Sequence, residues 1–219
     1  MIKAVIFDLD GVLVTTDSCH YKAWKRMADE EGIPFDEKDN LRLRGVSRME
    51  SLEIILERAG RAYSAQEKAA LATRKNGYYI ELISKLDQSA LLDGALQTLQ
   101  LLRSHGMKTA IGSSSRNAPT ILRQTGLEGW FDAVADGNQI KFSKPAPDVF
   151  LLAARLIQVP DAECLVVEDA DAGVEAALNA GMQVLAVGAA QGNPRAQLRA
   201  ASLADFNWEL WIHRNQKGS

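Results

Sequence analysis

The sequence predicts an α/β fold, a doubly wound parallel sheet into which a bundle of helices is inserted early in the chain. Three observations carry this. Short apolar runs at 4–7, 108–112, 133–135, 164–167 and 183–187, bounded by Gly, Asp and Ser, have the length and composition of strands buried on both faces. Amphipathic stretches at 92–105, 118–125, 147–157 and 172–180 separate the later runs, the alternation that right-handed parallel crossovers require. Between residues 14 and 91, by contrast, only helical periodicity appears, over more chain than one crossover can absorb.

The first strand begins at Ala4, so no signal peptide is expected ahead of the fold. Periodic segments at 20–31, 49–58 and 65–85 then read as a small helical-bundle cap domain over 15–91. That leaves 1–14 and 92–219 as the α/β core, whose strands and helices alternate to the last run at 183–187. This order gives a Rossmann-like open sheet, with ligands expected at the carboxyl ends of its strands. The polar tail, 215–219, is expected to fray.

With 219 residues, 47% of them hydrophobic and 24% charged, the composition is that of an ordinary globular protein. A net charge of −3 gives no electrostatic reason for nucleic acid or an anionic membrane as partner. No apolar stretch reaches the roughly 18–20 residues needed to cross a bilayer. Cys19 and Cys164 make no disulfide framework, and Cys164, inside an apolar run, reads as a small buried hydrophobe. A reduced, cytoplasmic, monomeric protein is expected. Arg42, Arg44 and Arg48 are too few for a polyelectrolyte footprint and read as a local anion grip.

The chemistry lies at the strand ends. After the first strand, Phe7-Asp8-Leu9-Asp10-Gly11-Val12 carries two carboxylates spaced i, i+2. Strand geometry throws both onto one face, and a turn at Gly11 lets them reach one site in different roles. Asp8 can attack phosphorus as a carboxylate nucleophile, and Asp10 can move a proton to or from the transferring oxygen. A bare Asp-x-Asp is more often a strand-end turn, so the other strand ends must decide.

After the run at 164–167, Glu168-Asp169-Ala170-Asp171-Ala172-Gly173 again places acids behind a strand. One or two of them with Asp8 suffice for magnesium, which takes oxygen ligands and keeps several waters. N-capping of the next helix by Asp169 or Asp171 is the plainer reading. Gly112-Ser113-Ser114-Ser115-Arg116-Asn117 offers hydroxyls and N–H groups at a helix start, either for an anion or merely as caps. Ser143-Lys144-Pro145-Ala146-Pro147-Asp148 holds a lysine ahead of two prolines. It can neutralise phosphate charge and orient a nucleophile, or be a solvated loop residue. Acids, hydroxyls, lysine and acids follow successive strands at one sheet edge. That concurrence selects phosphoryl transfer.

The set Asp8-Leu9-Asp10-Gly11-Val12-Leu13, Ser113, Lys144-Pro145 and Glu168-Asp169, in this order along the chain, resembles the haloacid dehalogenase superfamily of phosphotransferases. The resemblance implies Asp8 as nucleophile, Asp10 as general acid and base, and Ser113 and Lys144 as organisers of phosphate and nucleophile. It also implies one magnesium ion held by Asp8, the Asp10 backbone carbonyl and Asp169, with Glu168 assisting. An acid two residues after the nucleophile argues against dehalogenation, which needs no such proton relay.

Thr16, His20, Ala23-Trp24, Leu43-Arg44-Gly45-Val46-Ser47-Arg48 and Arg74-Lys75-Asn76, with Ser115-Arg116-Asn117, resemble the β-phosphoglucomutase branch of that superfamily. This implies that Gly45 and Val46 meet the substrate and that Arg48 grips the phosphate not being transferred, through its planar fork. Ser115, Arg116 and Asn117 would complete that second phosphate site, with Ser114 a further substrate-binding residue. Thr16, His20, Trp24 and Lys75 would line the cap side, although Trp24 also reads as a plain core residue and the arginines as a solvated face. The implied activity is a mutase on a small sugar phosphate, primed by glucose 1,6-bisphosphate, converting β-D-glucose 1-phosphate to glucose 6-phosphate through an aspartyl phosphate. A phosphatase on small sugar phosphates is the alternative. Arg44 and Arg116 stand where the branch has lysines, and Thr15 where it often has an acid, which bears on the identity of the sugar.

Overall fold

The computed structural model describes residues 1–43 and 47–217 and divides into two compact units, Met1–Thr15 with Asp87–Ser219, and Thr16–Leu86. In the larger unit β1 (Ala4–Phe7), β2 (Lys108–Gly112), β3 (Ala133–Ala135), β4 (Cys164–Glu168), β5 (Gln183–Ala186) and β6 (Leu198–Arg199) form one sheet. The strand order is β3-β2-β1-β4-β5-β6 and every pairing is parallel. β1 is Ala-Val-Ile-Phe and wholly buried, as a central strand covered on both faces must be. The covering helices are α5 (Ala95–Ser104), α6 (Ala118–Gln124), α7 (Asp148–Leu156) and α8 (Asp171–Asn179).

Register positions the chemistry. Phe7 lies opposite Ile111 on one side and Val167 on the other. The residues that follow, Asp8, Gly112 and Glu168, therefore emerge together at one sheet edge. Behind them, Ile6, Ala110, Phe150, Val166, Val174 and Val184 form part of a core with no measurable exposure.

Two elements of this unit were not expected. β6 spans two residues, too few for a periodic signal. As far as residue 217 the polar tail does not fray as predicted: α9 (Trp208–Lys217) continues through residue 215, with Trp208 and Ile212 buried. The reason is local. The Asn215 side chain accepts from the Ile2 N–H at 2.8 Å and donates to the Ile2 carbonyl at 2.8 Å, satisfying backbone at the entry to β1. Trp208 also lies 6.5 Å from the Phe7 ring. Gly218 and Ser219 lie outside the described residues.

The smaller unit holds α1 (Asp17–Glu30), α2 (Glu37–Leu41), α3 (Arg48–Leu56) and α4 (Ala65–Ile83), with no strand among the described residues. Capping boxes at Asp36/Asp39, Ser47/Glu50 and Ser64/Glu67 start α2, α3 and α4. At five residues, α2 is too short for sequence periodicity to reveal. Trp24, Met27, Ile33, Phe35, Leu52 and Leu71 belong to this unit's own hydrophobic core. Where the chain returns to the larger unit, Thr15 N–H donates to the Ala90 carbonyl and Leu92 N–H to the Leu13 carbonyl, both at 2.9 Å. No helix of the described residues is long and apolar enough to cross a membrane.

Candidate active site

At the sheet edge, the Lys144 ammonium donates to Asp8 Oδ1 at 2.5 Å and to Glu168 Oε1. The three side chains are 11%, 11% and 1% exposed, so this is a buried charge cluster. Burial pulls against the Lys144 charge, but Asp8 and then Glu168 outweigh it and its pKa is raised. Lys144 is a permanent cation. Burial also raises the Glu168 pKa, against the lowering pull of Lys144 and with the help of Asp8.

Glu168 uses its second oxygen to accept from the Ala170 N–H at 3.0 Å. Both oxygens are thus engaged, by Lys144 and by the turn after β4. Its carboxyl also rests against Gly173, where an added Cβ would stand 1.9 Å from Glu168 Cδ. Gly173→Ala is therefore expected to cost about 1–3 kcal/mol of stability in urea denaturation, because the obstacle is a pinned, buried carboxylate. A loss no larger than that of an exposed helical substitution would show that Glu168 can give way.

Asp169 packs against Gly11, whose φ of +87° and missing Cβ both matter, since a Cβ there would lie 2.0 Å from Asp169 Oδ2. Burial first, then the charges of Asp8, Glu168 and Asp10, push the Asp169 pKa up to about 8. The edge thus gathers four carboxyl groups around one lysine. Excess negative charge on hard oxygen donors is the chemistry that fits a magnesium ion. Among the described residues no three His, Cys, Asp or Glu side chains form a ready-made metal cage. A cation here would draw on backbone carbonyl and water as well, which suits magnesium.

The loop after β2 is built on itself. Ser113 is buried and its hydroxyl accepts from Ser115 N–H at 3.2 Å, while Ser115 Oγ accepts from Asn117 N–H at 3.2 Å. Asn117 stands at the head of α6. Ser114 Oγ is buried with no hydrogen-bond partner. An orphaned hydroxyl costs about 1–3 kcal/mol, a cost that a ligand acceptor would remove. Arg116 is exposed beside it.

In the smaller unit, the Lys75 ammonium lies 3.0 Å from His20 Nδ1 and stands over the rings of Trp24 at 4.6 Å and Tyr79 at 4.8 Å. Burial, then the charges of Lys75 and Arg48, hold the His20 pKa well below its usual value. His20 is accordingly neutral and accepts from Lys75. Its ring stacks 4.2 Å from Tyr79, whose hydroxyl donates to Thr16 Oγ1 at 3.1 Å.

The structure thus joins Thr16, His20, Trp24 and Lys75 in one cluster, with Arg48 near enough to act on His20. Trp24, expected to line a substrate surface, is 2% exposed and sits in the hydrophobic core, offering the cluster only its ring face. Tyr79 was missed, though an aromatic one turn beyond Lys75 was a readable signal. The turn Asp136-Gly137-Asn138, which carried a turn signature alone, was missed as well. Gly45 and Val46, like Arg44, lie outside the described residues.

Residues 2–181 match the model of the haloacid dehalogenase-like hydrolases. The chain is 45% identical over 213 residues to a β-phosphoglucomutase of Bacillus subtilis, covering 95% of this chain and 93% of that one. It is 34% identical over 189 residues to a fructose-1-phosphate phosphatase of Escherichia coli, covering 84% and 95% respectively. Among solved structures it is similar to a β-phosphoglucomutase from Clostridium difficile, with a TM-score of 0.88 and 36% identity over 100% of this chain and 99% of that one.

Proposed function

Because the chain belongs to the haloacid dehalogenase-like hydrolase family, we propose that it is a magnesium-dependent sugar-phosphate mutase interconverting β-D-glucose 1-phosphate and glucose 6-phosphate. The observation that carries the reading is the Asp8 carboxylate held by Lys144 at 2.5 Å, at the sheet edge that also bears the 113–117 loop. Similarity along 95% of the chain to the Bacillus subtilis mutase supports a sugar hydroxyl as final acceptor.

In this mechanism an Asp8 oxygen attacks phosphorus, the bond from phosphorus to the sugar oxygen breaks, and Asp10 delivers a proton to the departing oxygen. In the reverse half, Asp10 takes the proton from the accepting hydroxyl, whose oxygen attacks the aspartyl phosphate, and the bond from phosphorus to the Asp8 oxygen breaks to free the carboxylate. Glucose 1,6-bisphosphate is both the priming donor and the intermediate that reorients between the halves. Lys144 and Ser113 hold nucleophile and phosphate. Ser115, Arg116 and Asn117, with Arg48, are assigned the phosphate not in transfer, and Ser114 is assigned to substrate binding. Thr16, His20 and Lys75 are assigned the sugar side. Asp8, the Asp10 carbonyl and Asp169 would hold magnesium, which when bound supplies the positive charge that lets two anions meet.

The phosphatase among the relatives supports a second reading, in which water is the final acceptor. Incubation with β-glucose 1-phosphate, magnesium and catalytic glucose 1,6-bisphosphate separates the two. Glucose 6-phosphate is expected to appear in step with substrate loss. Inorganic phosphate matching that loss, with no glucose 6-phosphate, overturns the mutase in favour of the phosphatase.

A further inference from the structure

We propose that Asn138 is a positioning residue for the phosphate not in transfer, acting through the 113–117 loop; this rests on reading that loop as the second phosphate site. An anion site must turn its carbonyl oxygens away, since each one facing a phosphate repels it. Here the turn Asp136-Gly137-Asn138, directly after β3, collects those carbonyls.

Ser113 N–H donates to the Ala135 carbonyl at 3.0 Å, which docks the start of the loop onto β3. Gly137 N–H then donates to the Ser115 carbonyl at 3.2 Å, and Asn138 Nδ2 to the Arg116 carbonyl at 2.9 Å. The Ser114 carbonyl lies against Gly137 so closely that a Cβ there would be 2.3 Å from it. Three successive carbonyls, of Ser114, Ser115 and Arg116, therefore face one short turn. The unpartnered Ser114 hydroxyl is left over for an anion.

The turn is itself pinned. Buried Asp136 accepts from Asn138 N–H at 2.8 Å through Oδ1 and from Asn138 Nδ2 at 3.3 Å through Oδ2. Its own N–H donates to Gln139 Oε1 at 3.0 Å. Asn138 Nδ2 thus spends both hydrogens, one on Asp136 and one on the loop. An aspartate in its place would have none to give and would add charge beside Asp136 and the Arg116 carbonyl.

Asn138 is exposed, so its variants should fold, which thermal midpoints will show. Glucose 6-phosphate is titrated calorimetrically into protein holding magnesium and beryllium fluoride, a mimic that fills the phosphoryl position on Asp8. Separately, Asp8 is phosphorylated by acetyl phosphate, which carries only the transferred group. Asn138→Ala is expected to weaken glucose 6-phosphate roughly tenfold, and Asn138→Asp further, while acetyl phosphate labelling keeps its rate. Unchanged affinity in both variants, or affinity and labelling falling together, overturns the proposal. Wild-type protein that is labelled and binds glucose 6-phosphate, yet makes none from β-glucose 1-phosphate, refutes the mutase reading and leaves the positioning role standing.

Discussion

Asp8→Asn is expected to lower kcat by on the order of 10⁶-fold, the scale seen when a covalent nucleophile is removed. An amide keeps the shape of the carboxylate and loses the anion that attacks phosphorus. The fold should survive, because the exchange removes one of four crowded acids. Lys144 keeps Glu168 as partner, and the charge that helps raise both Glu168 and Asp169 disappears. A second readout follows. In metal-free protein, Asp169 should titrate below its value of about 8, since Asp8 is the largest contributor there after burial. Carbon-detected NMR titration of wild type and variant measures that shift. Activity surviving in the variant would move the nucleophile elsewhere.

Lys144→Met is the second large effect. It strands Asp8 and Glu168 in a site where Glu168 is 1% exposed. Removing one partner of a buried ion pair costs about 3–5 kcal/mol. The sign of the pH dependence follows from the carboxyl groups. Glu168 and Asp169 already have raised pKa values, and loss of the lysine raises them further. Groups with raised values stabilise the fold while protonated and lose that contribution as pH rises through the folded value. The penalty should therefore be smallest well below pH 8 and grow as pH rises through and beyond that value, measured by urea denaturation in chelator. Glu168→Gln added to Lys144→Met should recover part of the loss by removing a buried charge. A flat pH profile, or a double variant no better than the single, would mean that the lysine stabilises by packing alone.

Much of this site could be read before any coordinates. Phe7-Asp8-Leu9-Asp10 announces a buried strand that ends in acids, and the strand-end loops carry hydroxyls, lysine and more acids in order. Those signals are local, which is why they were visible. Periodicity likewise located most of the helices to within a few residues, and failed where an element was too short to repeat its period, as in α2 and β6. The anchoring of α9 through Asn215 was hidden because its partner, Ile2, lies at the other end of the chain.

The sequence by itself determined which side chains stand at the strand ends, and with them the class of chemistry, because strand and loop character depend on near neighbours. Only the tertiary structure decided how those side chains divide the work. Register put Lys144 between Asp8 and Glu168, which uses Glu168 to hold the lysine. Burial placed Trp24 under the Lys75 ammonium, inside the core. Packing turned the loop's carbonyls toward Asn138 and left Ser114 Oγ without a partner. Each of these depends on contacts between segments far apart in the chain. Such contacts exist only once the sheet has brought its strand ends together and the helices have packed.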